Sequence, residues 1–310
     1  MKVVALGGGH GLAASLQALR TVTSELTAVV TVADDGGSSG RLRAELDALP
    51  PGDLRMALAA MAGEDEWGRT WERLLQHRFT SAGPLAGHAV GNLLLTGLAE
   101  STGDPVVALD LVAKLLGISG RVLPMSPVPL EICADVMGLG PGVTEVVGQV
   151  AVATTVGQVA AVRLRPDNPP ACKQAVRAVE EADWVVFGPG SWFTSVLPHL
   201  LVPDLRDALQ RTPARRLVAL NLAPQAGETS GFAPESYLEV LVAHAPDLRI
   251  DVVLADEQMV VDTRGLMAAA QSVGGRLVLA PVALGDGTPR HDPQRLARAY
   301  EEVFGGVAWR

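Results

Sequence analysis

The chain holds 310 residues, 48% of them hydrophobic and 19% charged, with 25 Lys and Arg against 34 Asp and Glu for a net charge of −9. Such a chain buries a large core without staples, which excludes disorder, collagen-like repeats and a disulfide scaffold. The acidic balance, with only 5 Phe, 5 Trp and 2 Tyr, also argues against a nucleic-acid partner, because it repels phosphate backbones and offers no base-stacking platform.

The two cysteines, Cys133 and Cys172, lie far apart without CxxC spacing and read as small buried hydrophobes in a reducing compartment. Met1 to Gly7 reads as a first strand rather than a signal peptide, and no apolar run reaches membrane-spanning length. The expected address is the cytoplasm, with no membrane insertion.

In chain order, the first strand, Val3 to Leu6, runs into Gly7-Gly8-Gly9-His10-Gly11, which opens a helix from Leu12 to Arg20. Glycines there let backbone N–H groups approach a phosphate at a helix N-terminus. Gly9, Gly11 and Ala14 also satisfy the G-x-G-x-x-A spacing of dinucleotide folds, which keeps NAD(P) open as a ligand. The second strand, Leu26 to Val32, ends in Asp34-Asp35-Gly36-Gly37-Ser38-Ser39-Gly40-Arg41. Adjacent carboxylates point differently, so one can take a ribose hydroxyl while the other faces a metal or a proton. A capped turn, with Asp35 or Ser38 as N-cap, explains one of these residues but not the whole set.

A helical insertion is expected over about 50–118. In it, Pro50-Pro51-Gly52-Asp53 stops one helix and starts the next with Asp53 near the N-cap, and Glu64-Asp65-Glu66 reads as a solvated loop. His88 and Asn92, four apart, are expected on one helix face, and with Asp53, Arg55 and Arg78 they can close over the site. A β-rich antiparallel excursion over about 129–164 follows, where Leu130, Ile132, Ala134 and Val136 alternate with Glu131, Cys133 and Asp135. Next comes a strand from Trp184 to Phe187 entering Gly188-Pro189-Gly190-Ser191, with Thr194 one turn into a helix, although a Ser N-cap alone accounts for part of that pattern. Leu217 to Leu220 leads to Asn221 and the Gln225 to Thr229 stretch, and Ile250 to Leu254 and Arg276 to Leu279 complete the strands.

The alternation of buried strands and helices gives the fold class: α/β, a Rossmann-like three-layer sandwich with a mostly parallel sheet, residues 1–310 forming a single domain. In a parallel sheet the glycine loop, the paired aspartates, the Gly-Pro-Gly-Ser turn and Asn221 all leave carboxyl ends of strands and line one rim. A ligand bearing phosphates and hydroxyls, a nucleotide or nucleotide sugar, fits such a rim. No Ser-His-Asp order, HExxH or Walker A element is present.

GGGHGL, TVADDGGSSGRLR, PPGDLR, HRF, LAGHAVGNLLL and ADWVVFGPGSWFTSVLPHLLV, with the Asn221 to Thr229 stretch, resemble the YvcK-like gluconeogenesis factors from residue 1 to about 260. The wider superfamily includes the CofD-type 2-phospho-L-lactate transferases, similar in fold and in the position of the aspartates. The resemblance implies a cytoplasmic protein that binds a UDP-sugar, UDP-N-acetylglucosamine or UDP-glucose. It would support cell shape and wall synthesis during gluconeogenic growth, acting with wall-regulating partner proteins and with little or no turnover. Carried over by motif, the ligand-binding residues are Gly8, Gly9, His10, Gly11, Asp34, Asp35, Gly36, Gly37, Ser38, Ser39, Asp53, His88, Asn92, Gly188, Pro189, Gly190, Ser191, Thr194 and Asn221. The transferase analogy makes Asp35 and Asp53 the positions for a divalent ion such as Mg²⁺, and phospholactyl transfer the alternative activity. His10 departs from the family's usual Thr, which places a titratable ring near the phosphates. An apolar chain of this size is also compatible with a homodimer.

Overall fold

The structure is a computed structural model that describes residues 1–306. Seven parallel strands form the main sheet: β1 (Lys2–Gly7), β2 (Glu25–Val30), β3 (Arg121–Pro124), β7 (Trp184–Phe187), β8 (Arg215–Ala219), β9 (Val252–Asp256) and β10 (Arg276–Ala280). Their order across the sheet is β10-β9-β8-β7-β1-β2-β3. All four residues of β7 and five of the six in β1 are buried, as expected for strands covered on both faces.

Helix α1 (Gly9–Val22) follows β1 and begins three residues earlier than its apolar period indicates, its first residue, Gly9, taking a positive φ of 59°. It packs on α3 (Pro51–Met61) and on the last helix, α12 (Pro293–Phe304). The hydroxyls of Ser15 and Tyr300 meet at 2.9 Å in the latter contact, which satisfies two polar groups inside an otherwise apolar seam.

The expected helical insertion is present as α3, α4 (Glu66–Gln76), α5 (Val90–Thr102) and α6 (Pro105–Leu115), after the short α2 (Gly37–Leu46). Asp65 of the acidic triplet is the N-cap of α4, its carboxylate accepting from Gly68 N–H at 2.7 Å, while Glu64 pairs with Arg20. Strand β3 was not among the expected strands: it has four residues and ends at Pro124, too short to give a period.

The β-rich excursion forms a separate antiparallel sheet of β4 (Glu131–Met137), β5 (Val143–Val147) and β6 (Gln158–Arg165), ordered β5-β4-β6. Leu130, Ile132, Ala134 and Val136 are all fully buried, so the alternating face points inward as expected. Between β5 and β6 lies the short helix α7 (Gln149–Ala153), which the alternation did not announce.

Candidate functional site

The sheet order makes a topological switch point. From β1 the chain steps outward through β2 and β3, and from β7 it steps the opposite way through β8, β9 and β10, so the order reverses between β1 and β7. The loops leaving these two strands diverge and leave a crevice between them. A cleft of about 1060 Å³ opens there, lined by Gly8 to Gly11, Asp53, Arg55, Pro189 to Ser191 and Asn221 among others.

The walls of the cleft meet at close range. A Cβ on Gly11 would strike the carbonyl of Pro189 and come within 2.6 Å of the Gly190 Cα, so only glycine allows the two loops to touch. Asn221 grips Gly190 from below: its Oδ1 accepts from the Gly190 N–H at 2.9 Å and its Nδ2 donates to the Gly190 carbonyl at 2.8 Å. Its side-chain amide is therefore spent on holding the turn.

Ser191 and Thr194 have the same fate. Both hydroxyls donate to the buried carboxylate of Glu228, that of Thr194 at 2.5 Å, and the Phe193 N–H approaches the same carboxylate at 3.3 Å. Burial pushes the Glu228 carboxyl up against the opposing pull of these donors. Thr194 is fully buried, while Ser191 still borders the cleft.

The Asp34 to Ser39 segment stands behind the glycine loop, outside the cleft lining. The Asp34 Oδ1 accepts from Gly36 N–H at 2.9 Å, and Gly36 is the N-cap of α2 without side-chain help, so neither Asp35 nor Ser38 caps that helix. Asp35 turns away, its Oδ1 accepting the Val150 N–H of α7 at 2.9 Å. The carboxylate whose charge acts on Asp53 is that of Asp34, while Asp35, the other position expected for a divalent ion, is bonded to α7. Among the described residues, no group of three or more His, Cys, Asp or Glu side chains is arranged to hold a metal ion.

His88 and Asn92 do not share a helix face. His88 precedes α5, in a β-bridged turn where Ala89 pairs with Arg78, and Asn92 lies in the first turn of the helix. They meet on Ser38 instead, whose hydroxyl contacts His88 Nδ1 at 2.9 Å and accepts from Asn92 Nδ2 at 3.0 Å. All three are buried, and burial together with the Arg41 charge draws His88 below its usual value. This knot joins α2 to α5, and both pack on α3, the helix that carries Asp53 and Arg55.

Asp53 is the carboxylate that reaches the cleft. A Cβ on Gly8 would collide with its Oδ2, and one on Gly52 would come within 2.7 Å of the Asp34 Oδ2, so two glycines clear space for the acids. Burial, reinforced by Asp34, pushes Asp53 up to about 7, against the Gly9 N–H and Arg55. Arg55 is 4% exposed; among the described residues it makes no salt bridge and its Nε has no hydrogen-bond acceptor, although the Asp53 and Asp34 charges act on it. Burial, with Arg78 nearby, lowers it to about 10.

The lining also includes residues outside the expected set. Gln149 comes from α7, and Leu284 and Pro289 to His291 from the turn before α12. Arg290 is held by Asp286 at 2.8 Å, and Asp286 is drawn down to about 2 by the Thr288 hydroxyl and N–H and by Arg290. Burial pushes His291 down to about 4. The one signal for this wall was the Gly-Asp-Gly-Thr-Pro-Arg-His-Asp turn, residues 285–292.

Comparison with known proteins bears on the family and the fold. The CofD family, described as 2-phospho-L-lactate transferase CofD, matches residues 3–274. A Mycobacterium tuberculosis protein provisionally named a gluconeogenesis factor is 54% identical over 307 residues, covering 97% of this chain and 90% of its own. A Halalkalibacterium halodurans protein named gluconeogenesis factor is 39% identical over 261 residues, 84% of this chain and 79% of its own. The crystal structure of a UPF0052-family protein from Bacillus halodurans superposes with a TM-score of 0.86 at 34% identity, covering 96% of this chain and 97% of that one. Among the described residues no helix is long and apolar enough to cross a membrane. With a matching profile over most of its length and these relatives, the chain belongs to the CofD family.

Proposed function

We propose that this chain is a gluconeogenesis factor that binds a nucleotide sugar, a UDP-linked hexose or N-acetylhexosamine, without turning it over, and that it serves cell shape and wall synthesis. The reading rests on the crevice at the switch point, where the Gly8 to Gly11 loop opens the 14-residue helix α1 directly opposite the Gly190 turn. Backbone N–H groups at such a helix start attract phosphate oxygens, and a cleft of about 1060 Å³ has room for a nucleoside diphosphate with its sugar. The names of the relatives support the metabolic role.

A second reading, phospholactyl transfer, draws on the family description and on Asp53, the carboxylate that lines the cleft, with the Asp34 charge acting on it from outside the lining, since Mg²⁺ is commonly held by one or two carboxylates together with substrate phosphates. Isothermal titration with UDP-N-acetylglucosamine, UDP-glucose, GDP and NADP⁺, each with and without Mg²⁺, separates the readings. Metal-independent binding of a UDP-sugar recovered intact is the expected result. Mg²⁺-dependent binding of GDP alone would transfer the chain to the second reading, and NADP⁺ binding alone would overturn both.

A further inference from the structure

Arg55 is a buried charged side chain with an unpartnered Nε. It sits on α3, two residues beyond Asp53, with its stem laid over Gly91: a Cβ there would come within 2.9 Å of the Arg55 Cγ and 3.0 Å of its Cδ. Leu75 presses on the same point at 2.9 Å. The residue lines the cleft with 4% of its surface exposed. Among the described residues, no carboxylate lies within ion-pair distance of it, and its Nε is without an acceptor. A buried, unpaired cation is costly unless something else completes it.

Arg78 lines the same cleft from the bridged turn before α5. One of its arms is anchored, Nη1 donating to the Gly87 carbonyl at 2.8 Å, which sets the direction of the rest. Two arginines and the start of α1 thus line one cleft, the two guanidinium charges close enough to act on each other. Five planar donors per guanidinium match the oxygens of a tetrahedral dianion better than a single carboxylate.

We propose that Arg55 and Arg78 form a clamp for the diphosphate of the bound nucleotide, with Arg55 as its fixed, buried jaw and Arg78 as its exposed one. The proposal rests on the nucleotide reading above but assigns the clamp to the phosphoryl groups alone, whatever base or sugar they carry. The Asp34 and Asp53 carboxylates beside the clamp oppose a second anion, so both guanidinium groups are needed to offset their charge.

Inorganic pyrophosphate is the probe, since it carries the clamped group and nothing else. Titration calorimetry on the full chain is expected to show pyrophosphate binding that Arg55→Met weakens roughly 10- to 100-fold, the effect of losing charge-assisted hydrogen bonds. Arg55→Lys, which keeps stem and charge but loses the fork, should weaken it by about tenfold, and a control at the exposed Arg177 on another face should leave it within about twofold. Arg78→Met, at an exposed position where the backbone bridge to Ala89 is kept, should cost several-fold and keeps the test alive if both Arg55 variants misfold. Unchanged pyrophosphate affinity in a folded Arg55 variant, or in Arg78→Met, overturns the clamp. Wild-type protein that binds a UDP-sugar but not pyrophosphate overturns it as well while leaving the nucleotide reading intact. Pyrophosphate binding without any nucleotide binding supports the clamp and removes the nucleotide.

Discussion

Replacing Asp53 by asparagine makes the protein more stable at alkaline pH than at acid pH, relative to the parent. Asp53 is held at about 7 in the fold, against 3.8 for an ordinary aspartate. An acid raised by burial loses stability as pH climbs above the unfolded value, and the loss is complete once the folded value is passed. At 1.36 kcal/mol for each tenfold step, keeping the charged group in the fold costs about 4 kcal/mol at pH 8 and about 1.5 kcal/mol at pH 5. Asparagine is nearly isosteric, can still accept from the Gly9 N–H, and carries no charge. The stability difference between Asp53→Asn and the parent should therefore shift by about 2 to 3 kcal/mol in favour of the variant between pH 5 and pH 8. Urea unfolding at pH 5, 6, 7 and 8, read by tryptophan fluorescence and far-UV dichroism, measures it. A constant difference across that range would mean that Asp53 is charged at no cost, and the account of the cleft floor would be wrong.

Other parts of the site make their own predictions. Ser38→Ala removes the shared partner of His88 and Asn92 and should destabilise by about 1–3 kcal/mol in urea, with no comparable loss for the exposed Ser101→Ala. Gly11→Ala drives a methyl group into the Pro189 carbonyl, so the loops must separate; the expected result is loss of ligand binding and a destabilisation of about 1–3 kcal/mol, and wild-type affinity would refute the contact. Asp35→Ala frees the start of α7, raising amide exchange at residues 150–153 by tenfold or more while global stability falls by only about 0.5–2 kcal/mol.

The layers of the fold were legible because strands buried on both faces and helices with one apolar side leave different periods, and the six longer or more apolar runs could be read directly. Strand β3 escaped because four residues ending in proline carry no period. At the site, the positions were legible and the assignments less so. Glycine loops announce themselves, but what a glycine makes room for does not: Gly8 clears Asp53 and Gly11 clears a carbonyl. Ser191, Thr194 and Asn221 looked like ligand donors because hydroxyls and amides on a rim usually are, yet their partners Glu228 and Gly190 are brought by tertiary packing. The same holds for Arg55, whose lack of a partner is visible only once its neighbours are in place.

The bond from Asp35 to Val150 has a mechanical consequence. It crosses from the end of β2 to the helix between β5 and β6, and Gln149, one residue before Val150, faces the cleft. The antiparallel sheet is thus latched to the main one beside the crevice, at its near end. Its far end, the hairpin tip over 138–142, is exposed and rich in glycine. Changes of length at that tip have no lever on the crevice, whereas a change of one residue between Val147 and Val150 would withdraw Gln149 from it. The small sheet can therefore diverge freely at one end, while its other end is tied down by the Asp35 bond together with Leu130 N–H donating to the Val32 carbonyl and Arg43 donating to the Leu130 carbonyl.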